Sequence, residues 1–291
     1  MQRSDKRLQY KIYPVALWCV LLTLFFSSCS PAAPVITQEV VSSLAPESSS
    51  SQTVIGSSSV EKPPYGNPKI PRKEIAEKLA QTFPVGKAYG WLTVPGTTID
   101  DAVMYSPESN DVYLEQRINY EGKESKAGLI FADYRDNLGN RNELCRNTVI
   151  YGHNVEIWGS NNGKRFSQLL KYTDLDFAKN NQFITFSTPT DEMVWQVFAA
   201  FYTDTNLDYV DTSPSDEKLM FIVSEAGQRT ENFFDVEVTP KDKILTLSTC
   251  AYDFGVVTKR FVVMAKLLDS NTALQPAEVI KNESPKVPSF S

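Results

Sequence analysis

The sequence has little of what several classes of functional site require. It contains one His and four Cys in 291 residues, and no C-x-x-C spacing. These counts exclude multi-His metal sites, cysteine-rich zinc sites and a disulfide-held scaffold, and we expect no cofactor. The formal net charge is −6, which argues against nucleic acid as a partner because phosphate binding requires clustered positive charge. If the protein uses an imidazole, that imidazole is His153.

The first 29 residues have the pattern of a membrane-directed segment. Basic residues precede an apolar run from Tyr13 to Phe26, as in a signal peptide or an N-terminal anchor. At 1.5 Å per residue the run would span roughly 21 Å, short of the ~30 Å hydrocarbon core. The run leads into Ser27-Ser28-Cys29, which resembles a bacterial lipobox and makes Cys29 a candidate lipidation site. Both alternatives, membrane anchor and lipoprotein, predict a location on the extracellular face of the cell membrane.

Composition divides the rest of the chain into a linker, one domain and a tail. Residues 30–71 are rich in Ser and Pro, with nine Ser in residues 41–60. Such a segment cannot bury enough apolar surface to offset its ordering entropy, so we predict a disordered linker. Residues 271–291 are similarly unpatterned, and we predict a flexible C-terminal tail. A single folded domain is left at 72–270.

Hydrophobic patterning predicts a mostly-β domain. A helix-like run begins it at 72–83, a short helix is expected at 166–170, and another helix runs from Ser213 to a stop near Gly227. The strand-like runs are 91–94, 102–105, 128–132, 147–151, 183–186, 193–202, 244–250 and 260–268. About eight short strands with peripheral helices indicate a closed or nearly closed β-barrel.

Three predicted strand ends carry a Cys, an Arg and a His, the side chains that nucleophilic catalysis by a thiol requires. Cys250 ends one strand, on a face that it shares with hydroxyl side chains, and Arg260 begins the next. An antiparallel pairing of these strands would bring the two residues together. A guanidinium beside a thiol favours the thiolate and offers hydrogen bonds to an oxyanion. His153, at the end of another strand, is the only imidazole that could transfer the proton.

Each of these residues also has a structural alternative when it is considered alone. A single Cys in a β-rich sequence is often a small buried hydrophobe, and a lone His is often structural. Arg260 could be an ordinary strand-end cation, and Lys259 beside it is a rival for the role.

Several motifs together resemble the sortase family. Leu247-Ser248-Thr249-Cys250 matches the L-x-T-C signature of sortases, and Arg260 follows at the spacing of class B. The segment 147–154, which contains His153, is similar to the sortase histidine motif. Further similarities lie at 94–100, 111–114 and 128–133. The resemblance spans roughly 85–268 in the expected order.

The resemblance implies an eight-stranded sortase barrel on the outer face of a Gram-positive-type membrane. Such enzymes cut a sorting signal after its Thr, hold the substrate as a thioester and transfer it to an amine. The implied partners are sorting-signal-bearing surface proteins and a peptidoglycan precursor or pilin amine. By position, the implied catalytic residues are Cys250 (nucleophile), His153 (general acid/base) and Arg260 (oxyanion stabilisation). The implied substrate-binding residues are Ser248, Tyr151 and Tyr209.

Two other functions stay open on the residues alone. One is a secreted cysteine hydrolase or L,D-transpeptidase that acts on peptidoglycan, and the other is a non-catalytic surface lipoprotein with a binding domain. Cys145 is the second Cys of the predicted domain. A disulfide with Cys250 would consume the nucleophile, so we predict that Cys145 stays free.

Overall fold

The fold is given by a computed structural model that describes residues 87–115, 117–155, 163–251 and 259–288. The predicted anchor, the candidate lipidation site Cys29, the linker and the helix at 72–83 lie outside the described residues. Within the described ranges, no helix is both long and apolar enough to cross a membrane.

Eight of the ten described strands close into a barrel, in the order β1-β2-β3-β4-β8-β9-β6-β5, with β5 paired to β1. The strands are β1 Lys87–Thr93, β2 Asp100–Tyr105, β3 Ile130–Ala132, β4 Asn147–Tyr151, β5 Phe183–Ser187, β6 Val194–Thr203, β7 Asn232–Phe234, β8 Ile244–Cys250, β9 Arg260–Leu267 and β10 Val279–Lys281. The predicted eight-stranded barrel is confirmed, and β7 and β10 form a separate two-stranded sheet.

The pairing of three neighbouring strands brings their predicted functional ends together. β4 and β8 run parallel, with Tyr151 opposite Ser248, so the carboxyl ends of both strands lie at the same end of the barrel. β8 and β9 run antiparallel, with Cys250 opposite Arg260. The antiparallel pairing expected for the 244–250 and 260–268 runs is therefore confirmed.

Alternation along β8 places its apolar side chains in two clusters, one on each face of the sheet. Leu245 and Leu247 of β8 pack in the main core. Ile244 packs instead in a second cluster, where Leu219 and Ile222 of a surface helix cover the sheet. This second cluster explains why the helix carries an apolar stripe on one side.

Three α-helices and one 3₁₀ helix lie around the barrel within the described residues. They are α1 Asp111–Leu114, the 3₁₀ helix Phe166–Thr173, α2 Leu175–Asn180 and α3 Asp216–Arg229. The side chain of Ser215 caps α3 by accepting a hydrogen bond from the backbone N–H of Lys218. The predicted stop at Gly227 is wrong, because the helix continues to Arg229. A Cβ at Gly227 would meet nothing within 4 Å, so this glycine faces open space inside the last turn.

The segment after β9 is more ordered than its composition indicates. β10 pairs antiparallel with β7, placing Val279 opposite Phe234, and Val279 is buried. The Asn282 side chain then donates to the backbone oxygen of Thr230 at 2.8 Å. The expectation of a flexible tail is therefore wrong for this stretch, because its backbone and one buried amide find partners on the edge strand β7 and at the end of α3.

Candidate active site

A cavity of about 250 Å³ opens at the end of the barrel where β4 and β8 finish. It contains all three residues that the sequence predicts to be catalytic. The lining residues are Asn110, Leu114, Phe131, Tyr151, Gly152, His153, Ser248, Thr249, Cys250 and Arg260. Residues that are far apart in the sequence therefore converge on one cavity.

Hydrogen bonds tie the segment after β4 to the end of β8, and so fix His153 relative to Cys250. The Thr249 hydroxyl donates to the backbone oxygen of Gly152 at 2.7 Å. The N–H of Gly152 donates to the oxygen of Ser248 at 3.2 Å. On the C-terminal side of His153, the Asn154 side-chain amide donates to the backbone oxygen of Cys250 at 2.8 Å. The backbone carrying the imidazole is thus fastened on both sides of His153.

The imidazole of His153 is buried, and its surroundings lower its pKa. Burial, together with the positive charge of Arg117, lowers the pKa of His153, while a hydrogen bond to the backbone oxygen of Tyr113 opposes the shift. Nε2 is buried and has no hydrogen-bond partner among the described residues. The lowered pKa favours the neutral imidazole, the form that can accept a proton.

Gly128, which precedes β3, leaves the space that the imidazole occupies. Its φ is +60°, a backbone conformation that favours glycine. A Cβ at this position would lie 2.3 Å from Cδ2 of His153. The apolar pattern predicts a strand that begins at Gly128 and does not reveal this contact. The available signal was a glycine at the start of an apolar run.

Arg260, and not Lys259, supplies a cation to the cavity. Arg260 begins β9 opposite Cys250 and lines the cavity. Lys259 is almost completely buried, and its Nζ lies 4.2 Å from the ring centroid of Tyr202, within cation–π range. The structure therefore separates the two neighbouring cations that the sequence left as rivals.

The three predicted substrate-binding residues are placed differently. Tyr151 and Ser248 line the cavity. Tyr209 is buried behind it, with its hydroxyl 2.8 Å from the Ser248 hydroxyl, so it reaches the cavity only through Ser248. Asn110 and Leu114, at the two ends of α1, line the cavity and were missed, because a single helical turn leaves little periodic pattern in the sequence.

Cys145 carries no disulfide, and neither does Cys250. The Cys145 sulfur accepts a hydrogen bond from the backbone N–H of Asn137 at 3.3 Å. The prediction that Cys145 stays free is confirmed.

Comparison with known proteins identifies the family to which this chain belongs. The sortase domain matches residues 92–268, a range that contains His153, Cys250 and Arg260. The chain belongs to the sortase family. A sortase B of Listeria monocytogenes is 33% identical over 198 residues, which cover 67% of this chain and 76% of that protein. A sortase B of Staphylococcus aureus is 33% identical over 199 residues, or 68% of this chain and 75% of that protein.

Solved class B structures share the fold of this sortase. A Staphylococcus aureus sortase B–substrate complex aligns with a TM-score of 0.57 and 29% identity, covering 70% of this chain and 88% of the other. Clostridium perfringens sortase B aligns with a TM-score of 0.53 and 30% identity, covering 62% and 94% respectively. The resemblance to class B sortases is therefore confirmed, and the protein is a cysteine transpeptidase of that family.

Proposed function

We propose that this sortase cleaves a C-terminal sorting signal after its Thr and transfers the upstream protein to an amine. The observation that carries the proposal is the convergence of Cys250, His153 and Arg260 on one cavity of a sortase barrel. Two solved relatives bear on the substrates: one Staphylococcus aureus sortase B structure is a substrate complex, and another sortase B structure is complexed with triglycine.

In the first half of the reaction, the Cys250 sulfur attacks the carbonyl carbon of the scissile Thr peptide bond. His153 takes the thiol proton on Nε2 and passes it to the leaving amine, so the peptide bond breaks and a thioester forms. The Arg260 guanidinium donates hydrogen bonds to the developing oxyanion. Loss of one such donor typically costs about 10²–10³ in rate.

In the second half, an amine attacks the thioester carbonyl. His153 accepts a proton from the incoming amine, the C–S bond breaks, and the Cys250 thiol is restored with that proton. The net result is exchange of one amide bond for another. Burial and the charge of Arg117 lower the pKa of His153 and so favour the neutral imidazole, the form that can accept a proton in each half of the reaction.

The cavity wall suits a peptide with mixed side chains. Leu114 and Phe131 supply apolar surface, while Asn110 and Ser248 supply polar groups. Protein ligand sites commonly combine an apolar lining with a few polar groups that fix orientation.

We also propose that the enzyme acts at the extracellular face of the cell membrane, tethered through residues 1–29. The support is the basic and apolar order of that segment and the Ser/Pro-rich linker after it. The corresponding partners are surface proteins that bear a sorting signal, and a peptidoglycan precursor or pilin amine as the acceptor.

Turnover of a sorting-peptide library, with an added oligoglycine amine, tests the proposed reaction. Wild-type protein should give an amide-linked product, and Cys250→Ala should give none. Cys145→Ala is the matched control, because it removes the other described cysteine outside the cavity and should retain activity. Activity that survives Cys250→Ala, or hydrolysis without amide-linked product, would contradict the proposal.

Arg260→Lys tests the stabilisation of the oxyanion. We expect a large loss of turnover, because an ammonium is a point charge and cannot reproduce the planar fork of a guanidinium.

A further inference from the structure

A fully buried carboxylate, that of Asp133, lies behind the cavity wall just after β3. Its Oδ2 accepts a hydrogen bond from the Tyr151 hydroxyl at 2.8 Å and another from the Asn110 amide at 3.2 Å. Tyr151 and Asn110 both line the cavity, whereas Asp133 does not. One carboxylate therefore holds two separate parts of the wall.

Arg135 keeps this carboxylate ionised. Its guanidinium donates to Oδ1 at 2.7 Å and to Oδ2 at 2.9 Å, and its backbone N–H donates to Oδ1 at 3.0 Å. Burial raises the pKa of Asp133, but the hydrogen bonds from Arg135, Tyr151 and Asn110 outweigh burial and leave the pKa below its ordinary value. Charge-assisted hydrogen bonds of this kind are stronger than neutral ones.

The same ion pair reaches a third part of the site. Arg135 also donates to the backbone oxygen of Val210 at 2.9 Å. Val210 follows Tyr209, whose hydroxyl contacts the cavity residue Ser248. The Asp133–Arg135 pair thus connects the wall at Tyr151 with the loop that lies behind Ser248.

Asn110 is also held by hydrogen bonds on its other side and at the start of α1. The Asn110 Oδ1 accepts a hydrogen bond from the backbone N–H of Tyr134 at 2.9 Å, which fixes the amide on its other side. The backbone oxygen of Asn110 accepts from the N–H of Tyr113 at 3.1 Å.

We propose that Asp133 is a positioning residue for transpeptidation: it fixes Asn110 and Tyr151 in the orientation that receives the sorting peptide. The inference rests on the proposed function. Asp133 does not touch the peptide, and its effect passes through the two wall residues. A buried ion pair is a poor source of stability in itself, whereas a charged acceptor that holds two donors gives the wall one defined geometry.

Asp133→Asn tests the inference, because it keeps the size of the side chain and removes its charge. We expect KM for the sorting peptide to rise about tenfold, which corresponds to about 1.4 kcal/mol, with a smaller change in kcat. The rate of alkylation of Cys250 should not change. Asp191→Asn is the matched control: Asp191 makes a similar two-pronged pair with Arg141 but does not line the cavity, so its loss should leave KM unchanged.

A double-mutant cycle separates positioning from a purely structural role. Tyr151→Phe removes the donor to Asp133 and keeps the ring in the wall, so it should raise KM even if Asp133→Asn does not fold. The double variant should be less impaired than the product of the two single effects. An unchanged KM in either single variant, or fully independent effects, would overturn the inference while leaving the proposed function intact. A wild-type protein without turnover of sorting peptides would overturn both.

Discussion

Burial of His153 and the positive charge of Arg117 both lower the pKa of the imidazole. Both favour the neutral imidazole, the form that can accept a proton on Nε2. Arg117 is exposed, so its charge can be removed without opening the cavity. The charge of this one surface residue therefore adjusts the protonation of the proposed acid/base.

We expect Arg117→Gln to raise the pKa of His153, because the substitution removes a positive charge that disfavours the imidazolium. The chain has one His, so a single imidazole resonance in an NMR titration reports this pKa without ambiguity. Lys123→Gln, at an exposed lysine paired with Glu121, is the control and should leave the resonance unaffected. An unchanged or lower pKa in Arg117→Gln would contradict the assignment.

A second buried carboxyl, that of Asp136, makes stability depend on pH. Burial raises its pKa to about 8, and its Oδ1 has no hydrogen-bond partner among the described residues. In the unfolded chain the group titrates near its ordinary value of 3.8. Between these two pH values the folded state binds the extra proton, so stability falls as pH rises through this window and levels off above it.

Asp136→Asn should remove this contribution and flatten the pH dependence of the free energy of unfolding. The limiting slope for one proton is about 1.4 kcal/mol per pH unit. Urea denaturation at several pH values from about 5 to about 9 measures it, with the exposed Asp269→Asn as the control. If the variant and the wild type show the same slope, the carboxyl is not protonated in the folded state.

The sequence predicts the proposed catalytic residues better than the residues around them. His153, Cys250 and Arg260 stand at the ends of apolar runs, and their chemistry is visible in the residue type. Asp133 also follows such a run, but its role depends on Asn110, 23 positions earlier in the chain. Gly128 likewise acts on His153 through space. Contacts of this kind appear only when the barrel brings the segments together.

At the scale of the elements, the N-terminus of α3 has two candidate capping residues in the sequence, and the structure shows which of them caps the helix. Ser213 and Ser215 both precede the acidic first turn, and the sequence does not distinguish them. In the structure the Ser215 hydroxyl accepts from Lys218 at 3.2 Å, which satisfies one of the free N–H groups of the helix start.

Ser215→Ala should lower the free energy of unfolding by about 1 kcal/mol, because the substitution removes a cap from a helix that covers the second apolar cluster. Ser213→Ala is the matched control and should change it little. Chemical denaturation of the three proteins compares them. Equal losses of unfolding free energy in the two variants would contradict the assignment of Ser215 as the capping residue.

The two strands that the sequence analysis missed are short. β7 and β10 have three residues each, too few to display a period of two. They pair with each other across a long stretch of chain, and their order depends on that pairing. The eight barrel strands, in contrast, carry apolar runs whose burial is visible in the sequence itself.

At the scale of the whole molecule, the C-terminal segment contacts elements that lie far apart in the sequence. The Gln182 side chain, just before β5, holds the backbone of Ala277 through two hydrogen bonds. Lys286 pairs with Glu225 on α3. This segment lies beyond residue 268, where the match to the sortase domain ends, and it adds contacts to α3, β7 and the start of β5.

Asn282→Ala should therefore lower the free energy of unfolding by about 1–3 kcal/mol, because it leaves the buried backbone oxygen of Thr230 without the amide donor. The exposed neighbour Glu283→Ala should have little effect. Urea denaturation measures both variants. If Asn282→Ala has the same free energy of unfolding as the wild type, this hydrogen bond does not stabilise the fold.

The parallel pairing of β4 and β8 has a consequence for when activity arises. The hydrogen bond between Thr249 and Gly152 links positions 97 residues apart, and such long-range pairings form late because a large loop must close first. A chain whose β8 has not docked holds its imidazole and its thiol on unconnected segments. The proposed active site is therefore complete only in the finished barrel, and an incompletely folded copy does not hold the two side chains together.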